Sequence, residues 1–518
     1  MTKNKCLLNG SCRLVNPTCP SRDYALVQWG LHQSPPVWMH FKKMLQRIFT
    51  NRIYCLFIAI VFLTGCELYA KPKIPLLSAP DKFRTTLKNT AIKNFPEQWW
   101  KVFNDSQLNQ IVDLALNNNT SYQIALKNIQ IAKTYVTQNA SAFFPTVNVG
   151  YNYSRNKLSK NAAVAEAFSS VGSNTASPFN YNRLEATVSY ELDVWHKIGN
   201  SVKQARANVA MTAADSDVIK LTLLSNVVST YLQIEALNFN LENLQQQYQA
   251  INAMVKMIGD QYQGGLINIE PLSDMKTQAE NIKSSLAEIK KQQQIAYHTL
   301  AYLVGEYPEK FSFNIKHRLS VLKFNKMIPV GIPAKVLAVR PDIQSAYYQV
   351  LAYGYLEKQN LANFLPAISL TGMYGFASTQ LTNFISGGGA AWNYGAGALE
   401  TLFNGGNLWS QYKRAKLQYQ AAILNYKDVV LSAFKEVNDV LIAYKQDYII
   451  LGAIQREMLN FKDKYDSANA QYIAGTYDYA TYLQYRLSYL QSQYNLTQQR
   501  LVVAQDVINV YKALGVGL

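Results

Sequence analysis

Side chains able to make or break bonds are scarce in this chain of 518 residues, and they crowd at one end. All five cysteines, Cys6, Cys12, Cys19, Cys55 and Cys66, fall within the first 66 positions. A disulfide framework or a zinc site needs paired Cys or Cys/His sets, so neither is available downstream of Cys66. Only His196, His298 and His317 remain there, scattered along the sequence. Arg340-Pro341-Asp342 has residue types that could serve acid–base chemistry, but proline beside an acidic residue at the head of an apolar-periodic run marks a helix start. No nucleophile, base and orienting group share a motif, and no Gly-x-x-x-x-Gly-Lys loop offers a phosphate cradle. The expected catalytic residues and metal ligands are therefore none, and the chain is not expected to be an enzyme.

Cys66 is the exception. From Met44 the chain has a short basic stretch (Arg47, Arg52), an apolar run from Ile53 to Leu63, and then Leu63-Thr64-Gly65-Cys66. This is the order of a secretory signal. The apolar run is too short to cross a hydrocarbon core, which needs about 20 residues. Leu-Thr-Gly-Cys resembles the bacterial lipobox, in which the thiol is acylated and the cysteine becomes the new N-terminus. Glu67 follows, and its contrast with the aspartate of inner-membrane retention favours outer-membrane sorting. Residues 1–65 are thus read as a leader, with the signal peptide at 44–65. Residues 1–43 are read as a start-site extension, translation beginning at Met39 or Met44 rather than Met1. Residues 66–106 form an anchored tether whose Pro72, Pro75 and Pro80 keep it extended. The covalent lipid is the only non-protein group expected, with no cofactor.

The rest is a folded chain: 49% of residues are hydrophobic and 16% charged, outside the range of disordered polymers. The formal charge is +17, but the first 65 residues hold eight Lys/Arg and one Asp, leaving 42 − 32 = +10 for the remainder. Nucleic-acid binding needs Lys/Arg clustered on one face, and no such stripe exists, so no nucleic-acid partner is expected. An outer-membrane lipid neighbourhood fits the charge equally well.

Two kinds of element alternate along the chain. Leu237, Leu241, Leu244, Tyr248, Ile251, Val255, Ile258 and Tyr262 form a heptad seam within a long proline-free stretch. A second seam runs from Tyr419 through Val437 to Tyr444, takes a step of four where three was due, and resumes from Tyr448 to Tyr472. Such an insertion shifts the stripe and alters the supercoil. A third seam runs from Leu483 to Tyr511. Antiparallel long helices joined near Gly264-Gly265 and Gly475 follow from these seams. Elsewhere the period is two. Val147, Val149, Tyr151 and Tyr153 alternate with polar residues, as do Leu184, Ala186, Val188, Tyr190 and Leu192; weaker copies lie at Ile368–Phe376 and Trp392–Leu399. Strands with one apolar and one polar face suit a barrel with lipid outside and water inside. Within hydrocarbon every backbone group must be paired, and four strands cannot close a ring, so several subunits must each contribute four.

The chain also repeats itself. Phe143-Phe144-Pro145 matches Phe364-Leu365-Pro366, Tyr262-Gln263-Gly264-Gly265 matches Tyr472-Ile473-Ala474-Gly475, and Leu303-Val304-Gly305 matches Leu514-Gly515. The expected layout is repeat 1 at 107–310, with strands at about 145–155 and 183–194 and helices at about 199–260 and 268–304. A connector spans 311–339. Repeat 2 spans 340–518, with strands at about 366–378 and 391–402 and helices at about 407–473 and 478–514. The Ser/Asn/Gly/Ala-rich hairpin loops are placed on the cell exterior.

With these parts in order, the sequence resembles the TolC/OprM-type outer membrane factors, and among them the lipid-anchored efflux lipoproteins (NodT-like). The likeness covers nearly all of residues 66–518. It is carried by Trp99-Trp100-Lys101-Val102-Phe103-Asn104-Asp105, Tyr190-Glu191-Leu192-Asp193-Val194-Trp195, Val339-Arg340-Pro341-Asp342-Ile343, Leu402-Phe403-Asn404-Gly405-Gly406 and Lys512-Ala513-Leu514-Gly515. The resemblance implies a mainly α fold with membrane β. It further implies a homotrimer whose 12-stranded β-barrel is continuous with a periplasmic α-helical barrel. The partners it implies are a periplasmic adaptor and an inner-membrane pump, the location is the bacterial outer membrane, and the function is export of drugs or other small molecules. It also implies a constriction lined by acidic side chains past each turn glycine. Here those positions hold Asp274 and Gln484, with Glu270, Asp478 and Thr481 close by. Type I protein secretion and metal-ion efflux are alternatives on the same fold. A non-conducting, lipid-anchored periplasmic coiled-coil spacer is the alternative of another class.

Overall fold

The computed structural model describes residues 70–74, 80, 83, 98–157, 178–315, 322, 324, 328 and 334–515. The leader, Cys66, most of the tether, the centre of the first hairpin loop and most of the connector lie outside the described residues. The described residues all belong to one unit, Glu67–Leu518. Helices α1 (Ser106–Asn118) and α2 (Thr120–Ala140) lead into strands β1 (Thr146–Asn156) and β2 (Phe179–Leu192), then into α3 (Lys197–Gln263) and α4 (Ile269–Leu303). The second half runs α5 (Pro341–Ala362), β3 (Ala367–Ser378), β4 (Ala390–Leu399), α6 (Asn407–Ile473) and α7 (Tyr479–Leu514).

The repeat holds residue by residue. Helices α3 and α6 are both 67 residues long, about 100 Å of helix each. Their starts and their ends are offset equally (407 − 197 = 473 − 263 = 210). Before the hairpins the offset is 367 − 146 = 221, and the excess of 11 is the difference between a 22-residue first loop (157–178) and an 11-residue second loop (379–389). Each long helix ends in the same Schellman turn. Leu266 N–H reaches Gln261 O at 2.9 Å and Thr476 N–H reaches Gln471 O at 2.9 Å, with Gly265 and Gly475 at φ 69° and 74°. Only glycine takes that conformation without strain.

The strands form one antiparallel sheet in the order β1-β2-β3-β4. Register aligns Val147, Val188, Gly372 and Tyr394 in one row and Val149, Ala186, Tyr374 and Trp392 in the next. Side chains alternate between faces, so one face is mainly apolar, with Arg155, Asn180 and Asn182 only toward the first hairpin loop, and the other carries Asn148, Glu185, Thr187, Thr371, Asn393 and Gly395. The apolar face is bare: Val149 is 74% exposed and Tyr394 82%. Its tyrosine hydroxyls are satisfied sideways, Tyr151 donating to Asn182 Oδ1 at 2.9 Å and Tyr153 to Asn180 Oδ1 at 3.1 Å. Strand β2 begins earlier than the alternation of Leu184 onward suggests, at Phe179, because Asn182 and Asn180 continue the ladder opposite Tyr153 and Arg155. It stops at Leu192 because Asp193 is committed to the next helix. Strand β4 stops at Leu399, short of residue 402, ahead of the turn made by Gly405 and Gly406 at φ 64° and 83°.

The core lies where α3, α6 and α7 meet the N-terminal segment and the connector. Trp99 is fully buried and stacks on Tyr511 at 5.6 Å, which makes the tryptophan pair an anchor of the chain's N-terminal arm. Asp105 caps α1 through Gln107 and Leu108 N–H and accepts the buried Tyr231 hydroxyl at 2.9 Å. The four-residue step in the α6 seam falls at Tyr444, whose hydroxyl donates to Phe324 O of the connector at 2.9 Å. Arg340 does more than precede a helix. Pro341 opens α5, while the buried Arg340 guanidinium donates to Asp342 at 2.7 Å, to Glu436 of α6 at 2.8 Å, and to Ala513 O at the end of α7. One planar fork thus joins three elements distant in sequence. Arg340→Ala leaves the Ala513 carbonyl and two partly exposed carboxylates without their donor. The expected loss is roughly 2–3 kcal/mol in urea unfolding of the detergent-solubilised protein, with Arg340→Lys restoring under half because an ammonium cannot fork.

Candidate functional site

Two regions have the geometry to act: the sheet with its junctions to the helices, and the tips of the two long helical hairpins. At the first junction Asp193 receives Ile198 N–H at 2.8 Å and Gly199 N–H at 2.7 Å, so one carboxylate caps α3 where it leaves β2. A side chain at Gly199 would crowd that carboxylate, its Cβ lying 3.1 Å from Asp193 Oδ2. Trp195 Nε1 donates to Pro366 O at 2.7 Å and ties the first junction to the entry of β3. Glu191 pairs with Lys197 at 3.1 Å beside a cavity of about 730 Å³ between sheet and helices. These contacts fix the direction in which the helical rods leave the sheet.

At the tips, Asp478 is the N-cap of α7 and accepts Thr481 N–H at 2.7 Å. The Thr481 hydroxyl, and then that backbone bond, hold its carboxyl below the usual range. Asp478 and Thr481 therefore form one capping unit. Glu270 sits in the first turn of α4, and Asp274 one turn further, both exposed. Gln484 is exposed on α7. Among the described residues no hydrogen bond or ion pair joins Asp274 to Gln484. The long contacts at the second tip are aromatic instead. Tyr465 stacks on Tyr489 at 5.4 Å and its hydroxyl lies 3.5 Å from that of Tyr482, which stacks on Tyr472 at 5.2 Å and Tyr479 at 5.9 Å. Sequence reasoning overlooked this stack. Its signal is the seven-residue spacing of Tyr465, Tyr472 and Tyr479, which carries the seam straight across the turn.

Further up the α6–α7 pair, Asp506 is buried next to Asp447, whose oxygens accept Gln499 Nε2 at 3.1 and 3.4 Å. Burial, and then the neighbouring carboxylate, push the Asp506 carboxyl up to about 7.

The model of the family described as outer membrane efflux protein matches residues 111–306 and again 332–516, one match to each repeat. The chain belongs to that family. Among its relatives, the cation efflux system protein CusC of Escherichia coli K12 is 25% identical over 475 residues, covering 89% of this chain and 98% of CusC. The toluene efflux pump outer membrane protein TtgI of Pseudomonas putida is also 25% identical, covering 89% of this chain and 97% of TtgI. In structure, the chain is similar to the Campylobacter jejuni CmeC outer membrane channel at a TM-score of 0.75, with 25% identity over 86% of this chain and 95% of CmeC. Membership places this efflux protein in the bacterial outer membrane, extending into the periplasm, with the architecture of outer membrane factor channels. No helix among the described residues is long and apolar enough to cross a bilayer.

Two measurements follow. Asp478→Ala removes the cap of α7 and should cost about 1 kcal/mol locally, read as roughly fivefold faster hydrogen exchange at residues 479–483, whereas Asp478→Asn keeps most of the protection. For Asp506 the folded state holds a proton to higher pH than the unfolded chain, whose carboxyl titrates near 4, so its contribution to stability falls as pH rises from about 4 to 7. Asp506→Asn should therefore have little effect at pH 4 and gain on the order of 2 kcal/mol over the parent by pH 8 in thermal or urea unfolding. A gap independent of pH would contradict this.

Proposed function

We propose that three copies of this chain close their sheets into one 12-stranded barrel, continuous with a periplasmic α-helical barrel, and that the trimer is the exit duct of a tripartite efflux system. The observation that carries this reading is the sheet with two open edges and a bare apolar face. In hydrocarbon the free N–H and C=O groups of β1 and β4 cost several kcal/mol each, and pairing β4 of one copy with β1 of the next removes both edges. Two copies give about eight strands and a barrel filled by its own side chains; three give twelve and room for water. The helices beside those edges agree. On α2, Ile124, Ile131 and Tyr135 are 52–57% exposed, and on α6 Leu417, Leu424 and Leu431 at seven-residue spacing are 55–68% exposed. These seams suit helix packing against a neighbouring copy.

Transport through the duct draws its energy from elsewhere, because the sequence has no phosphate-binding loop. An inner-membrane pump, reached through a periplasmic adaptor at the hairpin tips, supplies it. Cys66 carries the lipid that holds the tether to the membrane. Asp274 lines the periplasmic constriction, with Glu270 and the Asp478–Thr481 unit flanking it and Gln484 replacing the second carboxylate. The chain catalyses nothing. Its cargo is drugs or other small molecules. CusC and TtgI are equally similar to the chain although one is named for cations and the other for toluene, so overall likeness does not select a cargo, and a wide aqueous duct contributes little recognition.

Planar-bilayer recording tests this. The purified trimer should conduct, trivalent cations should block it from the periplasmic side, and Asp274→Ala should weaken that block by roughly tenfold because three like charges leave one ring. Absence of conductance would favour the coiled-coil spacer, and an unchanged block would remove Asp274 from the constriction.

A further inference from the structure

The two β-hairpins differ in charge and in how their loops are held. From Gln359 to Leu399 the chain contains no Lys, Arg, Asp or Glu, whereas the first hairpin carries Arg155, Arg183, Glu185 and Glu191 within its strands. The loop of the second hairpin is built from two short 3-10 turns, Leu381–Asn383 and Gly387–Gly389. It packs back toward the apolar face of the sheet. Phe384 is only 6% exposed and meets Tyr151 of β1 edge-on at 6.0 Å, and Tyr151 belongs to the apolar face. Asn182, which accepts the Tyr151 hydroxyl, donates to Ser378 O at 3.5 Å at the root of the same loop and is itself buried. Gly389 permits the fold-back, since a Cβ there would lie 2.7 Å from Phe384 O.

With Phe384 pinned, its neighbours Leu381 and Ile385 are left 71% and 72% exposed. The apolar face of the sheet carries Tyr153, Tyr374, Trp392 and Tyr394, the last two stacked at 5.8 Å. Aromatic residues on the lipid face of outer-membrane barrels concentrate at the lipid–water boundary.

We infer that residues 381–385 of this loop are a membrane-interface anchor, lying at the acyl–headgroup boundary of the outer leaflet with Leu381 and Ile385 in lipid. The inference rests on the reading that the sheet's apolar face meets lipid. A loop arching over a water-filled pore would leave two large aliphatic side chains in water, and it would not hold its one buried phenylalanine against the outer face. The absence of charge fits the same place, because ionic side chains grow more costly with depth in the bilayer while Ser, Thr, Asn and Gln can bond to headgroups at its edge.

Single tryptophan additions to the full-length protein in phosphatidylcholine vesicles test it, with the added emission read as the difference from the parent. Val149→Trp reports on the barrel itself. Gly388→Trp, whose Cβ position has nothing within 4 Å, reports on water. Lipids brominated in the upper acyl chain should quench Ile385→Trp, and aqueous iodide should quench it roughly threefold less than Gly388→Trp, as for an indole at the interface. Quenching of Val149→Trp by brominated lipid but not of Ile385→Trp overturns the anchor and leaves the barrel standing. An indole at 385 shielded from both quenchers marks a contact with a neighbouring copy and overturns it too. If neither Val149→Trp nor Ile385→Trp responds to brominated lipid, the barrel reading fails first and the anchor with it.

Discussion

A backbone amide or carbonyl in hydrocarbon has no water to turn to, and the rest of this molecule is arranged around that fact. Four strands pair internally along three ladders, and the two outermost are left with an edge each. Nothing else in the described chain covers those edges. Sheet, hairpin loops and exposed helix seams gain a common explanation once the edges are paired with further copies, whereas a soluble sheet of this kind would need a second layer on its apolar face. Two tyrosines of that face, Tyr151 and Tyr153, show the same economy on a smaller scale, each hydroxyl finding an asparagine on the adjacent strand.

Rigid junctions turn this membrane sheet into the base of a long helical body. Asp193 caps α3 directly at the end of β2, and Trp195 reaches across to the entry of β3. The two long helices have the same length and end in the same glycine turn, so their tips are set by register rather than by loop chance. Arg340 then ties α5, α6 and the end of α7 at mid-height, where the heptad seam of α6 slips and the connector docks. A seam interrupted there can accept the connector's Phe324 without breaking the helix, which remains continuous to Ile473.

Periodicity made the long helices and the membrane strands legible, because each side chain's partner face follows from spacing alone. Turn glycines were legible for the same reason, since positive φ restricts the residue type at Gly265 and Gly475. What spacing could not reveal depends on residues far apart in the chain. Arg340 read as the prelude to a helix, yet two of its partners lie 96 and 173 positions away. The Asp447–Asp506 pair is hidden likewise, each acid looking like a solvated helix residue until the two helices are set side by side. Asp478 is the reverse case: Asp-x-x-Thr at a helix start is a local capping pattern, and proximity to the turn made it look more like a gate than a cap.

The internal repeat gives each copy two similar halves, but the halves have diverged where they meet the outside world. Applying the 210-residue offset, Tyr465, Tyr479, Tyr482 and Tyr489 of the second tip correspond to Val255, Ile269, Leu272 and Ala279 of the first. Ile251, Met254 and Met275 of the first tip share one apolar cluster with Leu483 and Tyr482 of the second, whose own rings also stack on one another. Stacked rings carry orientation preferences that aliphatic contacts lack, so the geometry of the second tip is the more specific. The acid at Asp274 is replaced by an amide at the equivalent Gln484, and the charged first hairpin is matched by an uncharged second one. Around a threefold axis these differences alternate. The six quasi-equivalent hairpins of such a ring then divide into three with stacked rings at their tips and three without.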